Sequence, residues 1–193
     1  MKKSFYAYMS RLKHIKRWGL MRNTIEENVQ EHSFHVALIS HALCIIKNVY
    51  FGGKMDEGQV LKTALYHEAA EAITGDLPTP IKYFDEDIKS AYKRIERHAE
   101  HTLVDMLPLE MSEYIAPYVL QEVDSDVKML VKAADRLCAY IKCIEEKKSG
   151  NTEFLKAQQR ILETITNMNM PEADFFMEHF IAGYELTLDE LNS

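Results

Sequence analysis

Four places in this 193-residue chain put imidazoles or carboxylates among apolar residues at helical spacing. His32 lies in ENVQEHSFHVALISHAL, on the same stripe as Val36, Ile39, Leu43 and Ile46. His67 and Glu68 are adjacent in ALYHEAAEAITGDLPTP. Glu71 follows four residues after His67, about 40–60° away around the same expected helix. Asp135 sits in KMLVKAADRLCAYIKC, flanked by Val131, Ala134, Cys138 and Ile141. Brought to one point, two imidazoles and two carboxylates form a mixed nitrogen and oxygen site. That donor set suits a divalent ion of the Mn, Fe, Co or Zn type. Burying those carboxylates without a cation is expensive, which gives the combination its weight. A thiolate site is not available, because Cys44, Cys138 and Cys143 contain no CxxC pair.

These residues need helices to position them. A period of three to four residues dominates, and strand-like alternation is nearly absent. The pattern predicts a helix over about Tyr6–Arg17, a linker through Trp18, Gly19 and RNTIEENVQ, and a long helix over about Gln30–Asn48. Asp56 is a candidate N-cap for the next helix, which carries Leu61, Leu65 and Ala72 and ends at Gly75. DLPTP then forces an extended loop, since each proline biases its predecessor away from helix. Further helices are expected over about Asp85–Met106, Ser112–Gln121, Ser125–Lys148, Thr152–Asn167 and Pro171–Gly183. With no repeat or long linker, the reading is one all-α domain over residues 1–193. It is an orthogonal helical bundle, with the metal-binding helices at about 30–148 and C-terminal helices at about 152–191 packed on them.

Bulk properties narrow the function. A hydrophobic fraction of 47%, 27% charged residues and a net charge of −7 suit an ordinary globular protein. They argue against a broad nucleic-acid or anionic-membrane surface. The N-terminal cations Lys2, Lys3, Arg11, Lys13, Lys16 and Arg17 lack the apolar core of a signal peptide. No run approaching the roughly 18–20 apolar residues of a membrane span is expected. Reduced cysteines and these absences point to a cytoplasmic protein. Taken singly, each site residue has an ordinary explanation. His32 reads as a core histidine, Asp135 as a helix-edge acid, Trp18 as a core anchor, Arg17 as a surface cation and GDLPTP as a helix stop. His35, His41, His98, His101 and His179 stay in that ordinary class, and Phe175, Phe176 and Phe180 read equally as core or as interface.

Their joint order, a histidine, a histidine–acid pair and a distant aspartate, resembles the HD-domain metal-dependent phosphohydrolases. The likeness is closest to the bacterial HD-domain 5′-deoxynucleotidases. Their blocks match SRLKHIKRWGLMRNTIEENVQEHS, ALYHEAAEAITGDLPTPIKYF, LVKAADRLCAYIKC and the late LDEL. The resemblance implies a single HD domain that hydrolyses 2′-deoxynucleoside 5′-monophosphates with a divalent transition metal such as Co²⁺ or Mn²⁺. It implies metal ligands at His32, His67, Glu68 and Asp135, a catalytic Glu71, and Arg17 orienting the phosphate. It also implies Trp18 packing on the sugar, substrate contacts from Asp76, Leu77, Pro78 and Thr79, and a homodimer. No nucleic-acid or membrane partner is implied. One residue departs from the pattern: relatives carry His-Asp where this chain has His67-Glu68. That leaves two alternatives, another HD-type nucleotide phosphohydrolase and a catalytically weakened nucleotide-binding protein. A plain helical interaction module would leave the buried acids unexplained.

Overall fold

The computed structural model describes residues 3–82 and 84–192. Lys2 of the N-terminal cations and Tyr83 of the loop block lie outside them. The elements described are α-helices and short 3-10 turns, as the periodicity predicts. Helix α2 (Val29–Tyr50) is the organising element. Its start is set by a capping box: the Asn28 side chain accepts from the Glu31 amide while Glu31 accepts from the Asn28 amide. Helices α3 (Glu57–Tyr66) and α8 (Ser125–Lys148) pack on it, and α9 (Leu155–Asn167) and α10 (Pro171–His179) extend the same core. Val36, Ile39, Leu43 and Ile46 meet Val131, Ala134, Cys138 and Ile141 there, so both predicted stripes are buried together.

By length and composition alone α2 is apolar enough to cross a membrane, contrary to the expectation that no segment is. Here it packs as the central helix of the core, with α3 and α8 against it. Its outward face carries Phe34, Leu38 and Ile45, all exposed. Leu61 and Leu65 of α3 are exposed as well, while Val60, Thr63 and Ala64 do the packing.

Two predicted helices break early, and both breaks shape the site. Helix α1 covers only Phe5–Met9, and a 3-10 turn over Ser10–His14 replaces the rest. From Ile15 the chain is extended, because the backbone finds partners elsewhere. Val29 N–H donates to the Ile15 carbonyl at 2.9 Å, and Arg17 N–H to the Glu27 carbonyl at 3.0 Å. Arg17 and Trp18 are thus held against the entrance to α2 rather than on a helix. The second break ends α3 at Tyr66. His67–Ala70 turn tightly before the short α4 (Glu71–Thr74), and Gly75, at φ 72°, stops it. The loop is shorter than DLPTP predicts: short α5 (Thr79–Lys82) starts inside that block, because Pro80 lies in its first turn, where no amide donor is needed. Asp85 then caps α6 (Glu86–Asp105) by accepting from the Ile88 amide, and α7 (Leu109–Val119) leads to α8. The last helix, α11, covers Leu188–Leu191.

Candidate active site

The break after α3 does local work. Amides of Ala69, Glu71, Ala72 and Ile73 each bond three residues back instead of four. In that tighter winding, side chains three apart eclipse one another. Glu68 and Glu71 therefore face each other more directly than on a continuous α-helix. Glu71 is buried, and its carboxyl is pushed up to about 10 by burial, then by the charges of Glu68 and Asp76, with Arg17 opposing. Asp76 is likewise raised, first by burial, with Arg17 pulling the other way.

His32, His67, Glu68 and Asp135 converge: each offers a donor atom, and those atoms lie within 4.8 Å of one another. The His67 ring is oriented by its Nδ1, 2.7 Å from the Ala64 carbonyl, which leaves Nε2 turned toward the cluster. Asp135 Oδ1 stands 3.1 Å from His32 Nε2, and Glu68 Oε1 stands 3.7 Å from His67 Nε2. Yet both Nε2 atoms are buried without a hydrogen-bond partner. Two buried imidazole nitrogens and two carboxylates thus gather their donor atoms closely without a well-aligned hydrogen bond to satisfy either nitrogen. That is a donor set shaped for a divalent cation. Glu68 reaches the cluster despite its extra methylene. Burial and then the Arg17 charge hold His32 below its ordinary value, favouring the neutral, ligand-competent ring. For Asp135, burial acts upward, but the imidazoles and Arg136 outweigh it and keep the carboxylate ionised.

Arg17 closes the other side. Burial pulls its pKa down, and Glu27, Asp135, Glu68 and Glu71 together pull it further up. The structure thus gathers Arg17, Glu71 and Asp76 around the four candidate ligands. Trp18 adjoins Arg17, with its ring centroid 5.3 Å from that of Phe154. Leu77, Pro78 and Thr79 continue outward from Asp76, and no hydrogen bond or ion pair joins them to the cluster among the described residues.

Sequence reasoning missed several polar groups near the site. Glu27 accepts from both Arg17 Nε, at 3.1 Å, and Trp18 Nε1, at 3.0 Å. Lys82 donates to Glu96 at 2.7 Å and lies 5.0 Å over the Tyr92 ring, tying the loop after Asp76 to α6. Lys142 and Glu146 form a buried pair that holds the segment before Glu27. Only this last pair left a trace in the sequence, as opposite charges four apart beside Ile141, Cys143 and Ile144. An open cavity of about 680 Å³ lies behind the Glu27 segment, lined by Phe34, Cys138 and Lys142 among others, and not over the ligand cluster.

Known proteins resemble this chain in both sequence and fold. The family described as 5′-deoxynucleotidase YfbR-like matches residues 4–184. The 5′-deoxynucleotidase YfbR of Shigella boydii is 50% identical over 189 residues, covering 97% of this chain and 95% of the relative. Among solved structures, an HD-domain phosphohydrolase from Listeria innocua superposes with a TM-score of 0.82 at 17% identity, over 98% of this chain and 92% of that one. The cyanophage S-2L HD phosphohydrolase DatZ, solved with dA and one catalytic Zn²⁺ ion, gives 0.67 at 21% identity, over 92% and 96%. The two structures speak for the helical HD fold, while the near-complete family match and the half-identical relative carry the assignment: this chain belongs to the YfbR-like 5′-deoxynucleotidases.

Proposed function

We infer that the chain is a metal-dependent phosphoric monoester hydrolase that converts 2′-deoxynucleoside 5′-monophosphates into deoxynucleosides and phosphate. The observation that carries the reading is the pair of buried, unpartnered imidazole nitrogens facing Glu68 and Asp135, with Arg17 and Glu71 at their edge. His32, His67, Glu68 and Asp135 would hold a divalent ion such as Co²⁺ or Mn²⁺. Bound there, such an ion lowers the pKa of a coordinated water and polarises a phosphoryl oxygen.

The chain's own residues do the rest. Arg17 presents a planar, permanently charged fork to the phosphate and offsets the crowd of carboxylates around it. Glu71, buried beside Glu68, transfers the proton that the reaction moves between the attacking water and the leaving 5′-oxygen. Asp76, held between Gly75 and two prolines, accepts from the sugar 3′-hydroxyl, and Leu77, Pro78 and Thr79 close that side. Trp18 fills the space beside C2′, leaving a ribose hydroxyl neither room nor partner.

The chain is read as one cytoplasmic domain over residues 1–193 that works as a homodimer. The exposed apolar residues Phe34 and Leu38 of α2 and Leu61 and Leu65 of α3 support self-association. They line neighbouring helix faces that the His41–Glu57 contact, at 2.9 Å, joins. The late aromatic helix fits less well, since Phe176 is buried. Leu38→Glu with Leu65→Glu is expected to give monomers in sedimentation, and unchanged mass would move the interface elsewhere.

The decisive experiment is a matrix of Co²⁺, Mn²⁺, Mg²⁺ and chelator against paired deoxy- and ribonucleoside monophosphates, scored for released phosphate. Hydrolysis of the deoxy series with Co²⁺ or Mn²⁺, and little of the ribo series, is expected. Glu68 favours one competing reading, a nucleotide-binding protein weakened in turnover. That reading wins if the chain releases no phosphate while its Glu68→Asp variant does. Pyrophosphate or triphosphate release from other nucleotides would point to a different HD-type phosphohydrolase.

A further inference from the structure

We propose that Glu27 is a positioning residue that locks the phosphate reader and the sugar reader into one unit; this rests on the deoxynucleotidase reading. One oxygen, Oε2, takes hydrogen bonds from two consecutive side chains, Arg17 Nε at 3.1 Å and Trp18 Nε1 at 3.0 Å. The Glu27 carbonyl also accepts from the Arg17 amide at 3.0 Å, so backbone and side chain of one residue hold the same dipeptide. The Glu27 and Arg17 side chains are only 14% and 13% exposed, so water competes poorly for this contact.

Two features show that the contact is imposed rather than incidental. Trp18 has a φ of 59°, a left-handed conformation that a bulky residue adopts only when its surroundings compel it. The backbone there is held by the Arg17–Glu27 pairing on one side and by a turn on the other, in which Met21 N–H donates to the Trp18 carbonyl at 2.8 Å. Arg17 is also attracted by Asp135, Glu68 and Glu71. Left to those charges alone, the guanidinium would fold onto the carboxylates meant for a cation. Glu27 captures its Nε instead. The terminal amino groups have no hydrogen-bond partner among the described residues and remain available to a phosphate. The second Glu27 oxygen lies 3.9 Å from His32 Nδ1, so the same carboxylate also neighbours a candidate ligand ring.

The consequence is coupling. Loss of Glu27 releases Arg17 and Trp18 together, so phosphate affinity and discrimination against the 2′-hydroxyl decline together. A residue that merely stabilised the fold would change neither the deoxy-to-ribo ratio nor the environment of one indole. Trp18 is the only tryptophan in the chain, so its fluorescence reports on this contact directly.

The test compares wild type, Glu27→Gln and Glu27→Ala, loaded with Mn²⁺, with folding checked by urea midpoint. Steady-state constants are measured on paired deoxy- and ribonucleoside monophosphates. Trp18 emission is recorded before and during titration with inorganic phosphate. For Glu27→Ala, kcat/KM on the deoxy substrate is expected to fall about tenfold to a hundredfold, with most of the loss in KM. The deoxy-to-ribo ratio should shrink severalfold and the indole emission should shift, with Glu27→Gln between the two. Folded Glu27→Ala with an unchanged ratio, or with emission superimposable on wild type, overturns the proposal. Wild type that releases no phosphate from any deoxynucleotide instead overturns the deoxynucleotidase reading, while the emission comparison still tests the Glu27 contact.

Discussion

Helix α8 carries two charged clusters two to three turns apart, one fully buried and one half-buried, and they are built on opposite plans. Toward its C-terminal half, Lys142 and Glu146 are 3% and 0% exposed and bond each other at 2.5 Å. Glu146 also accepts from the Thr24 amide, the Ile25 amide and Asn151 Nδ2, while Lys142 donates to the Ile25 carbonyl. Each ion there has partners from the chain itself. Nearer the N-terminal half, Asp135 faces His32 and His67, whose Nε2 atoms have no hydrogen-bond partner. The first cluster is complete, and fixes residues 22–25 against the bundle. The second gathers nitrogen and oxygen donors of the kind a divalent cation takes. Burial of charge alone does not mark a functional centre. Burial with unsatisfied, convergent donors does.

The comparison can be broken most directly at Glu71. Glu71→Gln should lower kcat by about 10²–10⁴-fold, the usual worth of a proton-transfer group, while the protein stays folded by circular dichroism. The mirror experiment is Glu146→Ala. It should destabilise the chain by about 3–5 kcal/mol, read as a lowered urea midpoint, because Lys142 and two amides lose their partner inside the protein. Because Glu146 also holds the Thr24–Ile25 segment that leads to Glu27, activity per folded molecule should fall, but far less than in Glu71→Gln. If Glu146→Ala were as stable as wild type, the complete cluster would not be structural.

Metal removal sharpens the contrast further. Mn²⁺ or Co²⁺ at about a hundred times its Kd should stabilise the chelator-treated protein by about 2.7 kcal/mol. His67→Ala should abolish that gain, whereas Glu146→Ala should keep it, as thermal melts with and without the ion would reveal.

The smallest effect is in the pH dependence, where the two acids carry opposite signs. Burial pushes Glu146 upward, but Lys142, Asn151 and the two amides hold it at about 2. Its stabilisation is therefore complete above the ordinary glutamate value near 4.5, and disappears as pH falls toward 2. Glu71, raised to about 10, keeps a proton that the unfolded chain has lost, so its cost begins near 4.5 and grows toward 10. Chelator-treated Glu71→Gln should accordingly exceed wild type by about 1–3 kcal/mol at pH 8, converging with it near pH 4.5. Urea titrations across that range would check it, and a constant gap would count against the assigned sign.

Much of this was legible beforehand for physical reasons. The stripes on α2 and α8 follow helical periodicity, and the caps at Asp56 and Gly75 are local chemistry, so the all-α fold followed from neighbours in the chain. The joint occurrence of acids and imidazoles on such stripes pointed to a candidate site, while the division into four ligands and a catalytic Glu71 came only from the family resemblance. What was misread depended on distant partners. Tyr6–Arg17 reads as a helix until residues 15–17 find the backbone of residues 27–29. Leu61 and Leu65 supply the apolar pattern of their helix, yet α3 turns Val60 and Ala64 inward and leaves both leucines exposed. Glu27 sits in a segment with no periodicity, so nothing local distinguishes it from its exposed neighbour Glu26.

The amino-acid order thus determined most helices, the caps at Asp56 and Gly75, and the donor types, because each rests on chemistry within a few residues. The tertiary structure decided which donors converge and which remain unsatisfied. It tightened the turn that sets Glu68 against Glu71, and it chose Glu27 over Asp135, Glu68 and Glu71 as the partner that holds Arg17. Those outcomes depend on distances between segments 10 to 120 residues apart, fixed only when the core of α2, α3 and α8 closes.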